Sequence, residues 1–387
     1  MLALMSSCII YHNPSSAVTL LDIPRSIEQA QGALSSRLIS STPLECEYPA
    51  VEPKSDKARD NFRRATLDEL LLQRHLELAL DEVNLGLKSN GTWCLPRITG
   101  HEISQSTSER KKIRVNQVSS PDLSPNRSDG YSATPMEQGA DNEPIHLADT
   151  DTIQYHNPHS KSMNITVGDS HARIPPKSTI LQGNIAATLN IFTSTAPRFN
   201  FIVLDPPWPN RSARRKRAYD ISYGTNEVKN LLSLLPIRSQ LTDLGWVAVW
   251  VTNKSSFREM LLREEGVFEQ WGLRFVEEWI WLKVTSGGQP ICPLDSKWRK
   301  PYEVVLVGKK IGKGEQNGKS RQVNRRVILG VPDLHSRKPN LRCIIEQVIG
   351  KGEGGYEALE VFARNLTAGW WCWGKEVLKF QMSEHWK

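Results

Sequence analysis

The segment FNFIVLDPPW at residues 199–208 places a carboxylate, two prolines and a tryptophan directly after a run of apolar residues. Proline fixes its own φ and restricts the preceding residue to extended conformations, so Asp205, Pro206 and Pro207 form a stiff turn. The Asp205 carboxylate and the Pro206 carbonyl are then acceptors with few competing donors, and Trp208 adds a flat aromatic surface. This set suits a planar group that bears an NH2, such as the exocyclic amine of a nucleobase.

The turn predicts a particular chemistry. One amine hydrogen would bond to Asp205 and the other to the Pro206 carbonyl, which leaves the nitrogen lone pair free to attack an electrophile. The nitrogen becomes cationic as it attacks, and a carboxylate in a dry site stabilises that charge. Stacking of the base on Trp208 would contribute ~1–3 kcal/mol. The simpler alternative is an ordinary Asp-Pro turn at the end of a strand.

Composition narrows the class of protein. The chain has 387 residues, a net charge of +7 and a pI of about 9.0, which favours polyanionic partners such as nucleic acid or an anionic membrane. None of the six cysteines forms a Cys-x-x-Cys pair, so we expect reduced thiols in an intracellular protein and no metal site. No apolar run reaches the ~18 residues of a membrane helix, and the first residues do not resemble a signal peptide.

The chain divides into four predicted regions. Residues 1–56 show no periodicity and are expected to be poorly ordered. Residues 57–100 form a helical segment, and residues 101–165, rich in Ser, Asp, Asn, Thr and Pro, are expected to be a disordered linker because they offer little apolar surface to bury. Residues 171–387 form the main domain.

The helical segment rests on apolar residues at helical spacing, namely Leu72, Leu76, Leu80, Val83 and Leu87. Thr66 and Glu69 form a predicted capping box at its start. The helix either packs on the main domain or binds nucleic acid.

The main domain reads as alternating strands and helices. The strand candidates, apolar almost throughout as in strands covered on both faces, are FNFIVLD, GWVAVWVTN, EEWIWLKV, PYEVVLVGK and YEALEVFAR. Ser256 with Glu259 is a predicted capping box, and Pro339 and Gly350 are predicted to start and stop a helix. The pattern predicts an α/β domain with a mostly parallel sheet, in which ligands bind beyond the carboxyl ends of the strands. Asp205 and residues 363–365 lie at two such ends.

At Asp205–Trp208 the sequence resembles the eukaryotic N6-adenine methyltransferases with the Asp-Pro-Pro-Trp signature, the MT-A70-like family. The resemblance covers about 171–387. The stretches PLDSKWRKPYE, LHSRKP, LEVFARNL and WGKEVLKFQ are most similar to the methyltransferase-like protein 4 branch. The resemblance implies a Rossmann-like fold with permuted motif order and S-adenosyl-L-methionine as methyl donor.

The resemblance also implies the residues of the site. The catalytic motif is Asp205, Pro206, Pro207 and Trp208. Contacts to the cofactor are expected from Asn184, Ile185, Asp205, Lys338, Arg364, Asn365, Lys375 and Glu376. The family usually has Asp at the position of Asn184 and Asn at that of Lys375, which implies a weaker grip on the cofactor at these two positions.

Further residues are expected to bind substrate. The basic stretch Arg214, Arg215, Lys216 and Arg217 follows the motif and would contact phosphates, with a nuclear localisation signal or a solvated surface as alternatives. Tyr223 is a candidate for stacking or a structural residue. Lys297, Arg299 and Lys300 form a second basic edge or a solvated turn. Lys283 is a phosphate contact or a surface lysine, and Glu303 would bond the base or orient a neighbour.

The predicted function is transfer of a methyl group to N6 of adenine in nucleic acid. The branch resemblance favours RNA, namely small nuclear RNA at a 2′-O-methyladenosine, and a nuclear location with the cytoplasm as an alternative. The alternatives are methylation of DNA adenine and a non-catalytic nucleic-acid-binding paralogue. The sequence identifies no partner subunit, and a monomer is compatible with it.

Overall fold

A computed structural model of the chain describes residues 7–32, 36–49, 65–87, 91–100, 145–147, 152–209, 224–296, 299–312, 323–350 and 355–387. The strands are β1 (Ile9–His12), β2 (Val18–Leu21), β3 (Ile39–Ser40), β4 (Ile98–Thr99), β5 (Ile145–Leu147), β6 (Ile153–His156), β7 (Met163–Val167), β8 (Ser170–Ile174), β9 (Thr179–Gln182), β10 (Phe199–Leu204), β11 (Leu241–Val251), β12 (Leu273–Lys283), β13 (Tyr302–Lys310), β14 (Asn324–Gly330), β15 (Ala358–Val361) and β16 (Trp371–Gly374). The helices are α1 (Ile23–Ala30), α2 (Leu67–Leu87), α3 (Ile185–Thr195), α4 (Thr225–Leu234), α5 (Ile237–Gln240), α6 (Ser255–Leu262), α7 (Val267–Gln270) and α8 (Arg342–Ile349).

One large sheet organises the fold. Its eleven strands run in the order β1-β2-β14-β12-β13-β11-β10-β15-β16-β9-β6. The consecutive pairs β11–β10, β10–β15, β15–β16 and β16–β9 are parallel, while β12–β13 and β13–β11 are antiparallel. The predicted α/β class with a mostly parallel, Rossmann-like sheet is confirmed, and so are the five predicted strands of the main domain.

Both faces of this sheet are covered, as the apolar strands require. Alternate residues of β10 enter different cores, because successive side chains of a strand point to opposite faces. Ile202 and Leu204 belong to a cluster with residues of α2, α3 and α4, whereas Phe201 and Val203 belong to a cluster with α8.

The parallel half of the sheet aligns the candidate functional loops. The strands β10, β15, β16 and β9 point the same way, so the loops that follow them emerge at one edge. Asp205 follows β10, Arg364 follows β15, Glu376 follows β16 and Asn184 follows β9. The late strand β15 lies directly beside the early strand β10, which brings the two predicted motifs together.

The N-terminal region differs from the expectation of poor order. Strands β1 and β2 extend the large sheet, because β2 pairs in parallel with β14, and all four residues of β2 are buried. Helix α1 follows with an Asp22 side chain that accepts from the backbone N–H of Arg25 at 2.9 Å. Strands of four residues carry too little periodicity to be recognised in a sequence.

The predicted linker also needs correction at its end. Residues 101–144 and 148–151 lie outside the described residues, but β6 and most of β7 fall within 152–165. Strand β6 pairs antiparallel with β9 at the edge of the large sheet, and Ile153 and Tyr155 are buried while their neighbours are exposed. The sheet therefore begins before residue 171.

Three predictions concerned helix ends. The Thr66 capping box is confirmed, since the Thr66 N–H donates to Glu69 at 2.8 Å and the Glu69 N–H donates to Thr66 Oγ1 at 3.3 Å. The box at Ser256 is wrong because α6 starts at Ser255, with Lys254 as N-cap, so Ser256 lies inside the helix. Helix α8 begins at Arg342, three residues after Pro339, and ends at Gly350 with a φ of 74°.

Candidate active site

The Asp205 carboxylate lies at the end of β10 and faces the loop after β15. The Asp205 backbone N–H donates to the Val361 carbonyl at 3.3 Å, which continues the parallel ladder past the last residue of the strand. Arg364 Nη1 lies 3.9 Å from Asp205 Oδ2. The register of two neighbouring strands therefore fixes this carboxylate beside a guanidinium.

A second cation comes from the loop between β14 and α8. Lys338 Nζ is 3.7 Å from Asp205 Oδ1 and 4.9 Å from the centre of the Trp250 ring. Burial would lower the pKa of Lys338, but the carboxylates of Asp205 and Glu303 outweigh it and raise the pKa above its usual value. Lys338 is thus a protonated cation at the cavity wall.

The Lys338 loop is anchored by a buried ionic network that the sequence did not reveal. Arg337 Nη1 donates to Asp333 Oδ2 at 2.6 Å, and both side chains are fully buried. Arg97 donates to the carbonyls of Pro332 at 3.0 Å and Val331 at 2.8 Å, and lies 3.8 Å from Asp333. The N-terminal part of the chain therefore supports the loop that presents Lys338.

Glu303, on β13, connects two lysines. Its carboxylate binds Lys283 Nζ at 2.5 Å through one oxygen and Lys338 Nζ through the other. Burial acts to raise the pKa of Glu303, but the two ammonium groups prevail and lower it to about 2. The Glu303 carboxylate is therefore held between two lysines, one of which also lines the cavity.

The polar row continues from Arg364 to the loop after β16. Arg364 Nε donates to Glu376 Oε2 at 3.0 Å, and Lys379 donates to Glu376 Oε1 at 2.7 Å. Gly374, just before Lys375, has a φ of 152°, and a Cβ there would lie 3.0 Å from the Phe362 Cα. Glycine at this position permits the close approach of the loops after β15 and β16.

A cavity opens between these groups, on the face of the sheet that α8 covers. Its lining combines carboxylates, cations, an amide and aromatic rings, namely Asp205, Glu360, Lys338, Arg364, Asn365, Trp250, Phe362, Trp370 and Phe380, with Val203, Ser336, Pro339, Asn340, Leu341 and Ile345. Four of the predicted site residues therefore share one cavity.

Glu360 is a lining residue that the sequence analysis missed. It lies on β15, where it pairs with Val203, and burial raises its pKa to about 8, with the Asp205 carboxylate adding to the shift and Arg364 opposing it. Its position within the strand-like stretch LEVFARN is visible in the sequence, but its orientation into the cavity depends on the register of β15.

Hydrogen bonds and ring stacking, in addition to the two proline rings, hold the turn at Pro206–Trp208 in place. The Trp208 N–H donates to the Pro206 carbonyl at 2.8 Å, so this carbonyl keeps one further lone pair for another donor. Trp208 Nε1 donates to the Trp250 carbonyl at 2.6 Å, and its ring stacks on Phe257 with centroids 4.7 Å apart. Phe257 therefore covers one face of Trp208 and fixes the plane of its ring.

Other predicted cofactor contacts lie along the same edge without lining this cavity. Asn184 is exposed and caps α3, accepting from the Ala186 N–H at 2.9 Å. Ile185 is buried in the core with 5% exposure, so only its backbone can reach a ligand. Lys375 is exposed and Glu376 is half-buried.

The predicted substrate residues are only partly described. Arg214, Arg215, Lys216, Arg217, Tyr223 and Lys297 lie outside the described residues. Lys283 is held by Glu303 and lies 4.6 Å from the centre of the Trp281 ring. Arg299 is exposed with its guanidinium 4.1 Å from the Tyr48 ring centre, and Lys300 is half-buried.

The described residues hold neither a candidate membrane span nor a candidate metal site. No described helix is both long and apolar enough to cross a bilayer. Across the same residues, no three His, Cys, Asp or Glu side chains are grouped as metal ligands.

Comparison with known proteins supports the interpretation of this geometry. Residues 199–376 match the MT-A70 family, a range that runs from β10 to the loop after β16. The N6-methyladenosine RNA methyltransferase MTA1 of Cryphonectria parasitica is 35% identical over 393 residues, which cover 98% of this chain and 94% of that protein. The chain belongs to the MT-A70 family of N6-adenine methyltransferases.

More distant MT-A70 relatives match the main domain. The N(6)-adenine-specific methyltransferase METTL4 of Homo sapiens is 34% identical over 224 residues, 56% of this chain and 45% of that protein. A protein of Caenorhabditis elegans named DNA N6-methyl methyltransferase is 31% identical over 214 residues, 55% of this chain and 54% of that protein. The predicted family and the predicted S-adenosylmethionine-dependent methyltransferase activity are confirmed. These relatives are named as methyltransferases, so they do not support the alternative of a non-catalytic paralogue.

Members of the MT-A70 family generally use S-adenosyl-L-methionine, and the cavity fits such a ligand. The cofactor carries a carboxylate and an ammonium group, and the lining offers the cations Lys338 and Arg364 for the first and the carboxylate of Asp205 for the second. The charges of the lining residues therefore agree with the implied cofactor.

Proposed function

We propose that this MT-A70 protein transfers the methyl group of S-adenosyl-L-methionine to N6 of adenosine in RNA. The position of Asp205 carries the chemistry, because its carboxylate ends a strand, faces the cavity and stands next to the rigid Pro206–Trp208 turn. The choice of RNA rests on the relative from Cryphonectria parasitica, which is named an RNA methyltransferase and aligns with 98% of this chain.

The chain's part in the reaction begins with the target base. Asp205 accepts one N6 hydrogen, and the Pro206 carbonyl accepts the other through the lone pair that Trp208 leaves available. The face of the Trp208 ring opposite Phe257 receives the adenine ring. A base inside a duplex cannot reach this turn, so the target must be unstacked or single-stranded.

The cofactor supplies an electrophilic methyl group on a sulfonium centre. Lys338 and Arg364 hold the cofactor's carboxylate beside Asp205, while Asn365 in the cavity wall and Glu376 beyond Arg364 contact the ribose. Arg364 also donates to the Ser336 carbonyl at 3.4 Å, which ties the two loops into one wall. The residues therefore fix the direction of approach rather than bond to the methyl group.

Asp205 stabilises the positive charge that develops on the target nitrogen. As N6 bonds to carbon it becomes cationic, and the adjacent carboxylate stabilises it in a site with little solvent. The proton then leaves N6 for Asp205 or for water. The two cations beside Asp205, at 3.7 and 3.9 Å, lie beyond hydrogen-bond length, so both carboxylate oxygens remain able to accept from the amine.

Substrate backbone contacts follow from the basic groups at the rim. Lys300 and Arg299 precede β13, whose Glu303 holds both Lys283 and Lys338. Arg299 and Lys300, together with the basic stretch 214–217 outside the described residues, contact phosphates without reading sequence. We also propose small nuclear RNA with a 2′-O-methyladenosine as substrate and the nucleus as location, both on the resemblance of residues 293–303 and 334–339 to the methyltransferase-like protein 4 branch.

Methylation of DNA adenine is the second candidate, favoured by the named activity of the Caenorhabditis elegans relative. The test uses four single-stranded oligomers of one sequence with a single adenine: RNA, RNA with a 2′-O-methyl group at that adenine, DNA, and RNA with a guanine in its place. Methyl incorporation from labelled donor should be at least ~10-fold faster on one of the two adenine RNAs than on DNA. Preference for DNA, with incorporation still absent from the guanine RNA, would keep the N6-adenine chemistry and overturn the RNA assignment.

A further inference from the structure

Helix α2 carries two apolar faces. One face packs into the main core through Leu76, Ala79, Leu80 and Val83, all buried. This face contacts β1 and β2 at one end of the large sheet. An amphipathic helix on a globular domain needs only this one stripe, and its opposite face is usually polar.

The opposite face of α2 is also apolar. Leu71, Leu78 and Leu85 are seven residues apart and are 54%, 50% and 82% exposed, and Leu67 and Leu70 extend the patch at 70% and 51%. Five of the eight large apolar side chains that the described residues expose thus lie on this one helix. Residues spaced seven apart lie along the contact line of a helix pair, and such a concentrated apolar patch marks an interaction surface.

The charges of α2 identify what fits this surface. The helix carries the acids Asp68, Glu69, Glu77, Asp81 and Glu82 but a single arginine, Arg74. This balance repels a phosphate backbone, so nucleic acid is a poor occupant for this face.

We propose that the leucine face of α2 pairs antiparallel with the same face of a second copy of this chain, centred on Leu78. The centre places Leu71 of each copy opposite Leu85 of the other. Arg74 lies four residues before the centre and Asp81 three residues after it, so each arginine falls beside Asp81 of the second copy. Both side chains are exposed, and Arg74 currently binds Glu77 of its own helix at 3.1 Å.

The antiparallel direction follows from the same two residues. A parallel pair would set Arg74 against Arg74 and Asp81 against Asp81, and like charges across a helix pair disfavour it. The antiparallel pair is self-complementary, as an interface with two-fold symmetry requires. Four strands of the sheet separate β2 from β10, so pairing through α2 leaves the cavity at Asp205 accessible in both copies.

Sedimentation velocity of the 387-residue chain from ~1 to ~100 μM tests the proposal. The expected result is a concentration-dependent dimer that Leu78→Glu abolishes. Arg74→Glu and Asp81→Arg should each weaken dimerisation about 10-fold, which corresponds to about 1.4 kcal/mol. The double variant Arg74→Glu/Asp81→Arg reverses both charges and should restore the dissociation constant to within ~3-fold of the original.

Two controls separate pairing from folding. Leu244→Glu changes another exposed leucine, 73% accessible and on β11, and should leave the dimer intact. All variants should keep the helical circular dichroism signal and the methyl-transfer rate of the original chain. A chain that stays monomeric over the whole concentration range overturns the proposal, and so does a dimer that survives Leu78→Glu or that the double variant fails to restore.

Discussion

Asp205 and Arg364 face each other across the ends of two neighbouring parallel strands, with 3.9 Å between Oδ2 and Nη1. The two residues are 159 positions apart in the chain, and the parallel pairing of Leu204 with Val361 brings them together. Lys338 approaches the other carboxylate oxygen from a third loop at 3.7 Å. The site is thus assembled by sheet topology rather than by any local motif.

Lys338→Ala should weaken binding of S-adenosyl-L-methionine by about 10- to 100-fold, because a charge-assisted hydrogen bond contributes ~1.5–3 kcal/mol. Isothermal titration calorimetry measures this affinity directly, without reference to turnover. Lys309→Ala is the matched control. Lys309 lies on β13 at the opposite end from Glu303, and its Nζ is 5.0 Å from the centre of the Trp246 ring. Equal affinities for the two variants would show that Lys338 does not hold the cofactor.

Glu303→Gln should reduce stability in a pH-dependent manner. The folded-state pKa of about 2 lies below the ordinary value of 4.5, so the ionised carboxylate stabilises the fold above pH 4.5 and loses this effect as the pH falls towards 2. We expect the free energy of unfolding, measured in urea at pH 6, to be roughly 1–3 kcal/mol higher for the original chain than for the variant. This difference should shrink below pH 4.5. A difference independent of pH between 6 and 3 would contradict the paired carboxylate.

Glu360→Gln should have the opposite pH dependence. The folded-state pKa of about 8 lies above the ordinary value of 4.5, so between these values the unfolded chain releases a proton that the folded chain retains. The original chain therefore loses stability as pH rises from 4.5 to 8, and the glutamine variant does not share this loss. Between pH 5 and pH 8, the free energy of unfolding of the variant should rise by on the order of 1–3 kcal/mol relative to that of the original chain, as measured in urea. No relative gain would mean that Glu360 is ionised in the cavity.

Trp208→Ala should lower kcat/KM for a single-stranded substrate about 10- to 100-fold, since stacking on a base contributes ~1–3 kcal/mol. Trp208→Phe retains a ring to stack on Phe257 but loses the hydrogen bond to the Trp250 carbonyl, so its loss should be smaller. Thermal unfolding of both variants monitors the packing contribution. If the two variants lose activity equally while their unfolding temperatures differ, Trp208 supports the fold and does not contact the base.

The sequence predicted the elements of the main domain because their signals are local. Strand β10 is a run of apolar residues that ends at a carboxylate, and the Thr66 box has the spacing of a helix start. The same reasoning placed Asp205 and residues 363–365 at strand ends. It could not give their separation, which depends on the pairing of β10 with β15.

The remainder depends on contacts between distant parts of the chain. Strands β1 and β2 join the sheet because β2 pairs with β14, and β6 joins it because it pairs with β9. These pairings cannot be seen in the sequence of the strands themselves. The buried network of Arg97, Asp333 and Arg337 joins segments more than 200 residues apart and carries no sequence pattern. In the sequence, Glu360 is one polar residue in an apolar strand. Only the pairing of β15 with β10 shows that it lines the cavity.

Mass spectrometry of nucleosides after reaction with isotopically labelled S-adenosyl-L-methionine tests the central claim, that Asp205 holds the amine that is methylated. The original chain should place the label on N6 of adenosine, and Asp205→Asn should reduce this product at least ~100-fold, because it removes the charge opposite the developing cation. Asp295→Asn, a change of an exposed aspartate, should have no effect. Label on another atom of the base, or full activity of Asp205→Asn in a folded protein, would contradict the account.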